Sequence, residues 1–152
     1  MRISAKADYA VRAAAELASA PDARPMRAEE IARHQAIPVH FLINILNELK
    51  IAGIVQSHRG VKGGYRLARS ADTITLAQII RAVEGPLASV HESRPEELRY
   101  PGAAESLTDV WVAVRANLRA VLESVTLAHL TKRSLPTAVR KLLRNPDAWV
   151  PH

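Results

Sequence analysis

Apolar residues in the first half of the chain recur at helical spacing, and turn-forming residues separate the runs. After Ser4, a residue type that caps helices, Tyr9, Ala10, Ala13, Ala14 and Leu17 fall on one face and predict a helix to about Ser19. Pro21 to Pro25 breaks it. A short helix is predicted over Ala28 to His34, with Glu29 and Glu30 in the first turn, where the helix dipole favours acids. Ala36-Ile37-Pro38 predicts a tight turn, with Pro38 suited to the start of the next helix. That helix runs from Val39 to about Ala52, with Phe41, Leu42, Ile45, Leu46 and Leu49 as its apolar face and Gly53 as its stop.

The pattern then changes period. Ile54 to His58 and Tyr65 to Arg69 read as two strands around a turn over Gly60 to Gly64. Thr75-Leu76-Ala77-Gln78 is a capping-box pattern that opens a helix through Val83, and Gly85-Pro86 stops it. Pro86 to Gly102 holds three prolines and no clear period, so it reads as a connecting loop. Beyond it, Leu107, Trp111, Val114, Leu118, Val121 and Val125 are spaced 4, 3, 4, 3, 4. That is a heptad seam on a helix from about Ala103 to Ser124, about 33 Å long. Such a seam packs on another helix, either within the chain or across a homodimer. Thr126 to Leu130 adds a short helix, and the tail after Ser134 has only a weak helical pattern. The expected fold is mainly α with a small β-hairpin wing. Four parts are expected: a winged helix-turn-helix over 1–85, a connecting loop over 86–102, a long dimerisation helix region over 103–133, and a C-terminal tail over 134–152.

Charge sharpens this outline. The formal charge of the 152-residue chain is +6, and it is unevenly placed. Residues 1–70 carry eleven Lys/Arg against six Asp/Glu, whereas residues 71–152 carry ten against nine. The basic excess coincides with the two-helix-and-hairpin half, which suits a polyanionic partner. Between Leu49 and Ala71 stand Lys50, Arg59, Lys62, Arg66 and Arg69, with no acid among them.

Two helices joined by a tight turn and followed by a glycine-turned ribbon form the outline of a winged helix-turn-helix. A helix fits the major groove of DNA and can present its first turns to base edges. A basic hairpin with a small tip can approach the sugar-phosphate backbone, and arginine is favoured in narrow minor grooves. Arg59 stands where the ribbon begins its turn, and Gly60, Gly63 and Gly64 permit the conformations of a tight tip.

Other chemistry finds little support. There is no cysteine, so disulfides, thiolate metal sites and cysteine nucleophiles are excluded. No Gly-Lys-Ser/Thr phosphate loop, no G-x-S-x-G and no supported carboxylate pair occurs, so no enzyme is expected. No apolar run approaches the ~18 residues needed to span a membrane. The N-terminus is a poor signal peptide, so a cytoplasmic location without membrane association is expected.

The segments MRISAKADYAVRAAAELA, EEIARHQAIPVHFLINILNELKIAGIVQSHRGVKGGYRLARS and TLAQIIRAVEGPL resemble the Rrf-two family of bacterial transcription regulators. The resemblance covers roughly residues 1–87 and continues more loosely to VTLAHL at 125–130. Its most specific pieces are AGIVQSHRGVKGGYRLAR and MRISAKADYAV.

The resemblance implies a homodimer on double-stranded DNA, with the long helices pairing across a two-fold axis. It implies major-groove contacts from Val39, His40, Ile43 and Asn44. Asn44 suits adenine, His40 a base or phosphate, and Ile43 a thymine methyl. It further implies phosphate contacts from Ser4, Lys6 and Tyr9, and a wing contact from Arg59 with Gly60, Lys62 and Gly63. Each also has an ordinary reading: His40, Asn44 and Lys6 as solvent-facing residues, and Tyr9 as core.

Sensing members of the family hold an iron–sulfur cluster through three cysteines in the loop after the fourth helix. Here that loop is PLASVHESRPEELRYPGAAES, so no cofactor is expected, and Asp8 is expected to be a surface or salt-bridging acid. His91 and Glu92 are adjacent, a poor arrangement for a metal, and no metal site is expected. Arg94, Glu96, Glu97, Arg99 and Tyr100 either line a pocket for an unidentified small-molecule effector or stand in solvent. The expected function is a sequence-specific, homodimeric repressor working without a cluster. The alternatives are a protein-interaction adaptor and a nonspecific nucleic-acid binder that retain the fold.

Overall fold

The computed structural model describes residues 2–151. Helix α1 (Ala5–Ser19) starts at Ser4, whose hydroxyl accepts the Ala7 backbone N–H at 3.0 Å. Its buried face is Ala7, Ala10, Ala13, Ala14 and Leu17. A stripe this small lets neighbouring backbones come close, and α1 becomes the hub of the core. Against it pack α2 (Ala28–Gln35), α3 (Val39–Ile51), α4 (Leu76–Glu84) and α6 (Leu127–Thr131).

Between α2 and α3 the chain turns on Ala36, which adopts the left-handed conformation (φ 50°) as the cap of α2. Ile37 then drops into the core and Pro38 leads into α3. Leu42, Ile45, Leu46 and Leu49 are the buried face of α3. Phe41, expected on that face, instead stands 44% exposed and meets Tyr9 edge-on, with ring centroids 5.8 Å apart. It lies ~100° around the helix from Leu42, beyond the buried arc.

The hairpin is β1 (Val55–His58) and β2 (Gly64–Leu67), antiparallel with Val55 opposite Leu67 and His58 opposite Gly64. Both strands are displaced by a residue or two from their expected bounds. On its other edge β2 pairs with Met26: the Met26 N–H donates to Tyr65 O at 2.8 Å and the Tyr65 N–H to Met26 O at 2.7 Å. The wing is thereby tied to the segment that opens α2.

Helix α4 opens with the expected capping box, Thr75 and Gln78 each serving the other's backbone N–H. The 86–102 segment is irregular but built, with a Val90–Ser93 bridge and a short 3-10 turn over Pro95–Glu97 around a buried Pro95.

The long helix is shorter than its pattern suggested. Helix α5 spans Leu107–Leu122, about 24 Å, because Gly102–Ala104 winds into a separate 3-10 turn. Leu107, Trp111, Val114, Leu118 and Val121 share its length, all half-buried. Val125 does not belong to that seam. It lies past the helix, is 3% exposed, and its carbonyl accepts the Leu76 N–H at 2.9 Å. Leu127 follows it into the core and is fully buried. The chain therefore returns after α5 to complete the N-terminal core. The tail adds α7 (Thr137–Leu143) and a 3-10 turn over Pro146–Trp149, with no buried residue in either.

Candidate DNA interface

The exposed side of α3 opposes its buried face. His40, Asn44 and Asn47 are all exposed and fall within an arc of about 60°. They form a polar ridge along the first three turns. Val39 and Ile43, expected among the contacts, are half-buried and pack against the core at the foot of the ridge. Ile43 is therefore on the flank of α3, not its exposed face.

The wing tip spans 59–63. Gly60 has φ +103° and its carbonyl accepts the Gly63 N–H at 2.9 Å, which closes the turn. Gly63 is required by space: a Cβ there would sit 2.4 Å from the His58 carbonyl oxygen. Arg59, Val61 and Lys62 project from the tip, with Val61 90% exposed. Arg27 braces the tip by donating from Nη2 to the Val61 carbonyl at 2.9 Å. Farther down the ribbon, Arg66 Nε and Nη2 lie 2.8 and 3.0 Å from the facing Gln56 side-chain amide, whose oxygen is assigned to that position because both arginine nitrogens are donors. Arg69 donates to the Thr73 carbonyl at 3.0 Å. Those two cations are occupied, whereas Arg59 and Lys62 make no ion pair among the described residues.

The first turn of α1 reaches the same side through its contacts with α3. Lys6 Nζ lies 2.8 Å from a Glu48 carboxylate oxygen on α3. Tyr9 is half-buried between Phe41 and the Arg12 guanidinium, the latter 5.3 Å from its ring centre. Ser4 both caps α1 and donates its hydroxyl to Glu84. Of the three expected phosphate ligands, Ser4 and Lys6 thus already hold internal partners. Asp8 pairs with Arg12 at 3.0 Å, one helical turn along.

Asn47, Arg27 and Glu48 were missing from the sequence-derived site. Asn47 was legible as the residue three beyond Asn44 on the same ridge. Arg27 meets a carbonyl 34 positions away, and Glu48 meets a lysine 42 positions earlier, so no local pattern marks either.

A second surface lies away from the ridge and the wing tip. Helix α5 has no buried residue, and beside it runs an apolar groove of about 1050 Å³. Ile3, Ile80, Val110, Val114, Leu118 and Val121 line it.

The family model described as Rrf2, an iron-dependent transcriptional regulator, matches residues 3–133. The chain belongs to the Rrf2 (Rrf-two) family. The Mycobacterium tuberculosis protein Rv1287 is 46% identical over 142 residues, covering 93% of this chain and 88% of that one. The Bacillus subtilis transcriptional regulator CymR is 35% identical over 130 residues, covering 86% and 89% of the two chains. The solved structure of B. subtilis CymR, titled the global cysteine regulator, superposes with a TM-score of 0.74 at 33% identity, covering 88% of this chain and 98% of that one. The structure of T. potens IscR superposes with a TM-score of 0.72 at 28% identity, covering 100% and 93%. The Rrf2 family consists of DNA-binding transcription regulators, not enzymes. Its fold is the winged helix found here, and among the described residues no helix is long and apolar enough to cross a membrane.

The iron in the family's description does not fit these residues. The chain has no cysteine to supply thiolates. Among the described residues, no group of three or more His, Asp or Glu side chains is placed to hold a metal. His91 and Glu92 are both exposed, at positive φ, in a tight turn.

Proposed function

We propose that this Rrf2 protein is a cytoplasmic, sequence-specific repressor that binds a pseudo-palindromic operator as a homodimer, without an iron–sulfur cluster. The observation that carries the DNA half is the exposed ridge of His40, Asn44 and Asn47, together with an exposed wing tip whose Arg59 and Lys62 make no ion pair among the described residues. Asn44 and Asn47 suit adenine edges, His40 suits a base or phosphate, and the wing cations suit the backbone and minor groove. Lys6 joins the phosphate contacts by exchanging Glu48 for DNA, while Ser4 and Tyr9 set the position of the α1 end that carries it. Val39 and Ile43 support the ridge from beneath, and Gly60 and Gly63 shape the tip.

Dimerisation is supported by α5. A 16-residue helix with no buried residue, beside an apolar groove, is an incomplete interface within one chain. A second copy of α5 crossing at Val114, Leu118 and Val121, with Leu107 and Trp111 toward the other end, covers that face. Two recognition helices then meet successive major grooves one turn apart, or a multiple of it. A dimer occupying both half-sites blocks promoter DNA, which is the basis for assigning repression.

The test is a fluorescence titration of a selected duplex. Arg59→Ala should weaken binding at least tenfold, about 1.4 kcal/mol. Glu97→Ala, an exposed loop residue outside the ridge and wing, should change it little. Binding should fall by about 0.9 log unit per neutralised phosphate for each decade of salt. Equal losses in the two variants contradict the wing assignment, and equal affinity for scrambled DNA replaces it with nonspecific binding.

A further inference from the structure

A second cleft, of about 590 Å³, opens where α4, the 86–96 loop and the C-terminal part of α5 meet. Six charged side chains line it: Arg81 from α4, Arg94 and Glu96 from the loop, Arg115 and Arg119 from α5, and Glu123 at the end of α5. None of them belongs to the ridge or the wing. Pro86 and Leu87 are also among its lining residues. Four guanidinium groups thus face two carboxylates, and the cleft keeps an excess of two positive charges.

The internal ion pairs show what these arginines are arranged to hold. Glu123 Oε1 accepts from Arg81 Nη2 at 2.5 Å and from Arg119 Nε at 3.0 Å. Glu96 accepts from Arg115 Nη1. Each of these three arginines uses one nitrogen on its carboxylate, and the other donors of the fork remain. Arg94 makes no side-chain ion pair among the described residues. Arginine forks match carboxylate and phosphate oxygens two at a time. Hydrogen bonds from Arg81 and then Arg119 hold the Glu123 carboxyl below the usual range, and backbone hydrogen bonding followed by Arg115 does so for Glu96. Both acids are therefore ionised at neutral pH, and the surplus of two counts only what they leave uncompensated. The Arg115 side chain is 20% exposed and that of Arg81 36%, whereas Arg119 is 51% exposed and Arg94 is exposed, so two partly covered arginines stand behind two that are open to solvent.

We propose that this cleft binds a small polyvalent oxyanion, a di- or tricarboxylate or a phosphate ester, through Arg94, Arg119 and the unused donors of Arg81 and Arg115. The site joins α4 of the DNA-binding unit to the end of α5, and the Arg81–Glu123 pair is one tie across that junction, beside the Leu76–Val125 backbone hydrogen bond. An oxyanion that shares Arg81 and Arg119 with Glu123 through their other donors weakens their hold on Glu123 and so changes how α5 sits on α4. Resting on the dimeric DNA-binding function proposed above, it thereby changes the spacing of the two recognition helices, and operator affinity and ligand affinity are coupled reciprocally.

Binding is tested first, on the full chain and without DNA. Calorimetric titrations with citrate, succinate and pyrophosphate are run at ionic strength fixed with sodium chloride. At least one should bind saturably, one per chain. The double variant R94Q/R119Q, both positions exposed, should lower that affinity at least tenfold while keeping its thermal midpoint. Preference between the carboxylates and pyrophosphate identifies the ligand's source. No saturable binding of any of the three, or binding that the double variant leaves unchanged, overturns the site.

Coupling is then read by operator titration. Saturating ligand should shift affinity at least threefold in the wild type and not in R94Q/R119Q. An unshifted operator affinity overturns the regulatory role. Weaker DNA binding by the double variant with no ligand present also overturns it, because the arginines then belong to the DNA footprint. A chain that binds no operator contradicts the proposed function and leaves the calorimetric result standing by itself.

Discussion

Gly64 is the point at which the wing is fastened to the body, and Gly64→Ala measures that attachment. A Cβ at this position would lie 2.4 Å from the Met26 carbonyl oxygen and 2.6 Å from its carbon, both backbone atoms that cannot rotate away. The residue also holds φ +149°, a conformation that side chains disfavour. Relief requires β2 to leave residue 26, which removes the two Met26–Tyr65 backbone hydrogen bonds of 2.8 and 2.7 Å. Each such bond is worth about 1 kcal/mol net. The backbone conformation adds about 1–3 kcal/mol. The expected loss is therefore about 3–5 kcal/mol, and with ~2–4 °C per kcal/mol for a chain of this size the midpoint falls by roughly 10 °C. Gly60→Ala is the comparison: it has φ +103° but nothing within 4 Å, so only the conformational part applies, about 1–3 kcal/mol. Circular-dichroism melts of both variants, with operator titrations alongside, decide the matter. A Gly64→Ala midpoint within about 2 °C of wild type, where a loss of 3 kcal/mol implies at least 6 °C, refutes the packing argument.

Two further predictions address the two surfaces. Leu118→Glu places a carboxylate in the proposed two-fold contact, where an unpaired buried charge costs several kcal/mol (about 3 or more). Sedimentation should then give a monomer with an unchanged fold, and a dimer of wild-type mass contradicts the α5 interface. Glu48→Gln removes the internal partner of Lys6, 2.8 Å away, and a negative charge from the side proposed to face DNA. Operator affinity should rise by about 1.5- to 5-fold, the scale of one exposed ion pair. The salt slope should steepen by about 0.9. Weaker binding would place Lys6 outside the phosphate contacts.

Much of the fold was legible because its signals are local. The Ser4 and Thr75 caps, the small-residue face of α1, the turn at Ala36-Ile37-Pro38 and the glycine-closed hairpin each lie within a few residues, and each stands near its expected place. The misplaced features depend on contacts distant in sequence. Val125 continues the 4, 3, 4 spacing of α5, but Leu76, 49 residues earlier, takes its carbonyl and draws it into the core. The start of α5 moved four residues inward because Gly102 turns at φ +55°, which periodicity cannot register. In the candidate site, the exposure of His40, Asn44, Arg59 and Lys62 followed from pattern. That Ser4 binds Glu84 and Lys6 binds Glu48 did not, since those pairs span 80 and 42 positions. The arginine cleft was only partly anticipated. Arg94 and Glu96 were named from the loop, whereas Arg81, Arg115, Arg119 and Glu123 enter it through helix packing alone.

This cysteine-free Rrf2 protein is proposed to read a two-fold symmetric DNA sequence unaided. Selection from a random-sequence duplex pool, using purified metal-free protein at near-physiological salt, tests it most directly. One site with two inverted half-sites, their centres about 10 base pairs apart or a multiple of that, should be enriched. A bound fraction with no enriched sequence, or with an unpaired half-site, contradicts it.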